Sequence, residues 1–501
     1  MKAAIFVTTL LAFALVAVGQ TSRGTVSGVI TDPNGAVVTG AAVTLTSSET
    51  GLDRATTSND EGFYRFDAID LGTYSVQITA TGFGSLTKTN VTVNANQTSA
   101  VDAQLTLGGQ QITVDVVAEA GAALQTEAPV RGGNISGVQI TQLPIANRNP
   151  VGFALTLPGV SSNSGGYGVQ TFSVNGARGR SNNFLIDGTE NNDISIAGQG
   201  FQITNPDAVQ EVSVQTSNYD AEFGRAGGAV VNVITRAGTN DFRGTLAFQY
   251  DSSADDAITS AQARNPAIIR QVNQPAGVVP RGRRLSATEY IPSFTFGGPL
   301  YLPRFGEGGP VLIDGRDRTF FFGAYQETRF RSPGASVTLN TPTQAGRDRL
   351  RALFPAGTNP NVDTYLAATA SAVATVANQP AISLDNQNLP AAQQTRGQIQ
   401  IGSFFRSYSS MRTAKQFQLR VDHRISENDQ FSSRFLSEKS VEPRGGVAGF
   451  EGFDADQASN YYNFLVSETH IFSPSLTNEL RLSYNRIDLG FPISDASGPA
   501  G

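Results

Sequence analysis

No cysteine occurs in the 501 residues; tryptophan is also absent, and there are only two histidines, His423 and His470. Without thiols there is no disulfide framework, no thiolate metal centre and no lipid-bearing N-terminal cysteine. The histidines fall near strand ends, outside any zinc spacing and away from any recognisable nucleophile. The glycines at Gly165, Gly166 and Gly168 lack the preceding strand and following helix of a phosphate loop, so the sequence offers no cofactor site. These absences argue against an enzyme. The charge balance of 36 basic against 42 acidic residues leaves −6, with no basic excess for nucleic acid. What is abundant is 52 glycines and 30 phenylalanines, a composition that favours turns and strands over helices and predicts a mainly β chain of two or three domains.

Lys2 precedes an apolar stretch from Ala3 to Val18, with the small residues Ala17 and Gly19 at cleavage spacing. This predicts a signal peptide over 1–19 and a mature chain beginning at Gln20. A membrane anchor is the alternative, but an apolar core of about 16 residues is short for a span. No other segment is apolar enough for a transmembrane helix.

Residues 20–106 contain short alternating runs punctuated by turn chemistry. Thr25 to Thr31 stops at Asp32, Pro33, Asn34 and Gly35, Val43 and Leu45 alternate with threonines, and Tyr74, Val76 and Ile78 form one face. The runs GVITDPNGAVVTGAAVTLTSSETG and DEGFYRFDAIDLGTYSVQITATGF resemble the carboxypeptidase regulatory-like domain. That resemblance implies a seven-stranded, transthyretin-like β-sandwich with a carbohydrate-binding-like fold and no peptidase activity; sugar binding and a plain interaction module both stay open for it. Residues 107–128 read as a linker carrying the extended run QQITVDVVAE.

The run NGARGRSNNFLIDGTENN, followed by AEFGRAGGAVVNVITRAGTNDFRG, resembles the plug of TonB-dependent outer-membrane receptors, and ISGVQITQLPIANRNPVGFALTLPGVSS is similar to the plug opening of Oar-like members. The resemblance implies a mixed α/β plug over 129–240, with Arg178 and Gly179 as its barrel-contacting Arg-Gly motif and Asp187 and Gly188 as its Asp-Gly turn. A guanidinium at Arg178 would grip barrel carboxylates in a forked pair. It also implies that a periplasmic segment pairs with the TonB protein by strand addition, for which Ile112, Val114, Val116 and Val117 are the candidates. Asp187, Glu190 and Asp193 alternate as a cation loop would, although a polar turn explains them as well.

Residues 241–501 alternate more strictly. Phe417, Leu419 and Val421 oppose Gln416, Gln418, Arg420 and Asp422, while Leu480, Leu482 and Tyr484 oppose Glu479, Arg481 and Ser483. A membrane barrel sets its apolar side to lipid and its polar side to the lumen. Strands near 242, 290, 319, 415, 429, 460 and 476 are joined alternately by long and short connections, as extracellular loops and periplasmic turns are. The longest, 331–414, has helical composition at 343–354 and 362–377. TFGGPLYLPRFGEGG and GRDRTFFFGAYQETRFR resemble the second and third barrel strands of Oar-like receptors. Seven strands are far fewer than the about 22 that enclose a plug, which predicts an incomplete barrel, the N-terminal part of a longer receptor.

The expectation is thus a TonB-dependent outer-membrane receptor for a bulky ligand, an oligosaccharide or a peptide, with TonB and outer-membrane lipid as partners. The alternative is a surface adhesion or secretion-associated barrel with no uptake role.

Overall fold

The computed structural model describes residues 23–108, 112–115, 131–144, 148–162, 172–194, 198–219, 223–224, 226–253, 287–303, 312–332, 336–375, 377–384, 397–407, 410–444, 455–473 and 476–490. The signal-peptide segment, Val116, Val117 and Gly165 to Gly168 lie outside them.

The N-terminal unit is built from β1 (Gly24–Thr31), β2 (Ala42–Ser47), β3 (Asp53–Thr57), β4 (Phe63–Ile69), β5 (Gly72–Thr79), β6 (Leu86–Val93), β7 (Thr98–Ala100), β8 (Ala103–Gln104) and β9 (Ile112–Asp115). One sheet runs β4-β1-β7 with β8 also on β1; the other runs β3-β2-β5-β6-β9. Their alternating inward residues, including Val26, Leu45, Tyr64, Val76 and Ile78, fill one buried core. Turn chemistry holds the register: Asp32 Oδ1 accepts from the amides of Asn34 and Ala36, and Asn59 Oδ1 from those of Glu61 and Phe63. The sheet reaches further than the sequence suggested. Residues 112–115, read as linker, pair parallel to β6, because Ile112 packs on the core and its amide donates to the Ser85 carbonyl at 2.9 Å.

The second unit comprises β10 (Arg131–Ser136), α1 (Gly137–Gln142), β11 (Val160–Ser162), β12 (Phe172–Val174), β13 (Asn183–Ile186), β14 (Thr189–Glu190), β15 (Asn192–Asp193), β16 (Gly198–Gln199), β17 (Val209–Ser217) and β18 (Val230–Thr235). Its main sheet is ordered β10-β17-β18-β13-β14, with β13 and β18 parallel. The helix starts where Ser136 and Gln139 form a reciprocal capping box. Every residue of β18 is buried, as its apolar run predicts. The core of this unit is not self-contained: Phe322, Ala324 and Leu436 of the third unit complete it.

The third unit is a meander of β19 (Arg243–Ser252), β20 (Thr288–Pro299), a hairpin of β21 (Leu302–Pro303) and β22 (Leu312–Ile313), β23 (Thr319–Ser332), β24 (Ser336–Pro342), α2 (Gln344–Leu353), α3 (Pro360–Ala368), β25 (Gln379–Ser383), β26 (Gln398–Ser407), β27 (Ser410–Arg424), β28 (Asp429–Arg444), β29 (Ala455–Ser473) and β30 (Leu476–Gly490). Seven long strands form one antiparallel wall, β19-β20-β23-β27-β28-β29-β30. Alternation decides its two faces: Gln418 is 4% exposed beside Leu419 at 40%, and Asn463 is 0% exposed beside Phe464 at 42%. The inner face is covered by the second unit. Gln418 Nε2 donates to the Ala208 carbonyl, so this position meets packed protein and not the open lumen that the alternation alone suggests.

Connections 253–287, 333–409 and 445–454 leave one end of the wall, and 300–318, 425–428 and 474–475 the other. The flanking strands run further than the sequence reading placed them, to Ser332 and from Ser410, which narrows the longest connection. That connection carries both helices, the second ending earlier than composition suggested, at Ala368, and also an unanticipated sheet β24-β26-β25. Leu350, Leu366, Ile399 and Ile401 give this subdomain its own small core. No helix among the described residues is long and apolar enough to cross a membrane, a statement that does not bear on crossing by strands.

Candidate functional site: the plug interfaces

The turn between β13 and β14 sets the site. Asp187 and Gly188 both have positive φ, 47° and 73°, the conformation that a two-residue hairpin turn of the Asp-Gly type requires. The Gly188 amide donates to Asn232 Oδ1 at 3.0 Å. Held in this way, Asp187 is buried against the inner face of the wall. Its carboxylate accepts from the Thr235 amide and hydroxyl, each at 2.7 Å, and forms an ion pair with Arg434 of β28. Arg434, 1% exposed, also donates to Asn463 of β29. One turn therefore joins two plug strands to two wall strands. From β27, Arg420 donates to the Thr235 carbonyl at 2.9 Å and pairs with Asp422. Burial pushes the Asp187 carboxyl up, but Arg434, Arg420 and the Thr235 hydrogen bonds outweigh it and hold the group below the ordinary carboxylate range.

This ion pair is a different one from the pair that the resemblance implied at Arg178. The plug supplies the carboxylate and the wall the guanidinium. Arg178, by contrast, is exposed, precedes the short 3-10 turn Gly179–Ser181, and has no ion pair among the described residues; Gly179 is buried beneath it. Asp187 lies at the wall-facing end of β13, whereas Arg178 lies before that strand begins. Sequence reasoning missed Arg434. Its signal was an arginine on the inward period of β28, between the inward residues Ser432 and Leu436.

The Asp187, Glu190 and Asp193 alternation builds a polar turn. Asn191 and Asn192 are spent on neighbours: Asn191 bridges both backbone groups of Phe201 at 2.8 Å, and Asn192 takes the Phe184 amide at 3.0 Å and donates to Asn183 at 2.8 Å. Among the described residues, metal-ligand chemistry gathers instead at Asp429, Glu468 and His470, whose candidate ligand atoms lie within 4.8 Å of one another on the outer face of the wall.

The sandwich seats on the end of the wall that has the short turns. Arg23 reaches Thr469 at 2.5 Å and pairs with Asp70, Arg424 approaches Asp53, and Asn240 donates to the carbonyls of Glu49 and Thr50. It also meets the plug, where the Ala95 amide donates to Glu211 Oε1 at 3.1 Å and Asn134 donates to the Ala95 carbonyl. Burial pushes the Glu211 carboxyl up to about 8, partly opposed by the Ala95 hydrogen bond. A raised pKa means that the docked form holds its proton more tightly. This contribution is full below the ordinary value near 4.5 and is lost as pH rises toward about 8. The urea midpoint of the sandwich and plug should therefore fall between pH 5 and 9 in the wild type; Glu211→Gln should flatten that fall, and an equal slope in the variant would remove Glu211 as its cause.

Strand β9 lies at the edge of its sheet, and its outer edge has no partner among the described residues. Ile112 is half-buried and Val114 is 40% exposed. Since the Ile112 amide points to β6, the Val114 amide does too, and the group facing outward is Thr113.

Comparison with known proteins gives the same three units in the same order. The outer membrane beta barrel domain matches residues 234–500, the TonB-dependent receptor plug domain 125–231, and the carboxypeptidase regulatory-like domain 25–106. The chain belongs to the outer-membrane β-barrel family, and its plug and regulatory-like domains make it a TonB-dependent receptor of the Oar-like kind. The TonB-dependent transporter Oar of Myxococcus xanthus is 26% identical over 212 residues, a match spanning 41% of this chain and 19% of that protein. Among solved structures, the outer membrane transporter YddB of Escherichia coli is 13% identical, covering 73% of this chain and 40% of that one with a TM-score of 0.44. A ferric enterobactin receptor mutant of Pseudomonas aeruginosa, in complex with enterobactin, is 12% identical over 72% of this chain and 42% of its own, at a TM-score of 0.38. Family membership places the protein in the outer membrane.

Proposed function

We propose that the protein takes up a bulky ligand, an oligosaccharide or a peptide, by TonB-dependent movement of its plug. The observation that carries this reading is the polar latch at Asp187 and Arg434: beside the apolar contact with Phe322, Ala324 and Leu436, it ties the plug to the wall through a buried ion pair that two single substitutions can release. The end with the short turns is then periplasmic, and the export signal at 1–19 is cleaved to leave Gln20. Deleting the gene should abolish energy-dependent uptake of one ligand class while leaving others intact; intact uptake with lost adhesion or secretion would support the non-transport alternative.

The coupling surface in this reading is the outer edge of β9, together with Val116 and Val117 beyond it. An incoming TonB strand would add there by backbone pairing, with alternate side chains giving selectivity. Thr113→Pro removes the outward donor and spares the Ile112 hydrogen bond to Ser85, so uptake should fall at least tenfold while surface binding of ligand persists. Val114→Pro strikes the inward side and should loosen β9 from the sandwich instead. Unchanged uptake in Thr113→Pro would place the coupling strand elsewhere.

A further inference from the structure

Where sandwich, plug and wall meet, they enclose a chamber of about 530 Å3, a size in the range of cavities that take small ligands. Seven arginines and five carboxylates line it. Four pairs account for most of this charge: Arg23 with Asp70, Arg420 with Asp422, Arg434 with Asp187, and Arg481 with Glu479. The remainder is net cationic, with Arg54, Arg236 and Arg243 against Glu49, and Arg243 pairs with Asp241 outside the lining. Arg236 has no ion pair among the described residues, and Arg54 donates to the Asp67 carbonyl at 2.6 Å and lies over the face of Phe66. Burial, with Arg23 nearby, lowers the Arg54 guanidinium to about 10, opposed by Asp70 and Asp67.

Two donors sharpen the chemistry. Arg481 spends Nε and Nη2 on Glu479, leaving Nη1 buried with no partner among the described residues, and Arg434 Nε is left in the same state. Buried guanidinium N–H groups are costly when unmade and are best met by an oxygen carrying negative charge. We infer that this chamber is a binding site for an oxyanion group, a carboxylate or a phosphate, on a polar solute held between the sandwich, the plug and the barrel wall. The sandwich contributes Arg23 and Arg54, so the site is complete only when that domain is seated. Arg434 and Arg420 belong both to the chamber and to the Asp187 latch, so an anion bound here competes with Asp187 for the same guanidiniums.

The test is equilibrium calorimetry on the full chain in detergent micelles, with inorganic phosphate and citrate as separate probes and chloride added to hold ionic strength constant. Saturable binding of at least one probe is expected, and the probe that binds tells phosphate from carboxylate. Arg236→Gln removes a cation without orphaning a carboxylate, and Arg481→Lys keeps a charge opposite Glu479 while removing the fork. Each should weaken binding at least tenfold with the strand content and heat-modifiability of the wild type. No saturable binding of either probe, or wild-type affinity in both folded variants, would overturn the inference. Binding is read without uptake, so the result stands apart from the transport reading.

Discussion

Replacing Arg434 with alanine should free the plug from the wall. The substitution leaves the Asp187 carboxylate buried with only Thr235 and Arg420 to support it, and breaking a buried ion pair in this way costs roughly 3 to 5 kcal/mol. The loss should be read as a lower denaturant midpoint and as new protease cleavage within the plug, while the barrel strands stay protected. Asp187→Asn should do nearly as much harm from the other side, stranding a guanidinium that is 1% exposed. Combining the two should cost less than the sum of the single changes, because each alone leaves an unpaired charge. Simple additivity would mean that the two residues are neighbours without being partners. Acid gives an independent check. Asp187 is held below the ordinary range, so its contribution is full above the ordinary carboxylate pKa and disappears as pH falls through its own lowered value.

In a membrane-inserted, full-length receptor, Leu419→Arg should prevent stable insertion, because it places a guanidinium on the outer face of β27, at a cost of roughly 2 to 4 kcal/mol near the bilayer midplane. Heat-modifiability on gels should be lost. The adjacent Gln418→Arg should fail differently: that side chain is 4% exposed and touches the plug at Ala208, so insertion should persist while the plug becomes protease-sensitive. Two neighbouring residues with separate failure modes follow from strand geometry, since successive side chains point to opposite faces. If both variants insert and keep a protected plug, the wall does not have the two faces described.

Much of this was legible because a strand's period is local. The lipid-facing Leu419 and Phe464 declare themselves against Gln418 and Asn463 within a few residues, and the alternation of long and short connections needs only a count. Asp187 and Gly188 were legible as a turn for the same reason, since the dipeptide specifies its own backbone. What the sequence hid is what depends on distance. Nothing local says that Asp187 meets an arginine 247 positions later, or that the plug's core is finished by Phe322 and Leu436. The run at 112–115 was legible as extended, but its place on β6 was not, because β7 and β8 intervene and parallel pairing leaves no hairpin signal. The sheet β24-β26-β25 was missed because two of its strands flank both helices.

The absence of cysteine gives the most direct test of a plug that must move within this wall. Asp207 and Thr245 join plug to β19 through a 3.2 Å hydrogen bond, and replacing both with cysteine introduces the chain's only thiols. Carried in a full-length receptor expressed in cells lacking the native gene, the oxidised double variant should bind ligand at the surface but not take it up, and reductant should restore uptake. Full uptake with the crosslink formed would contradict the account.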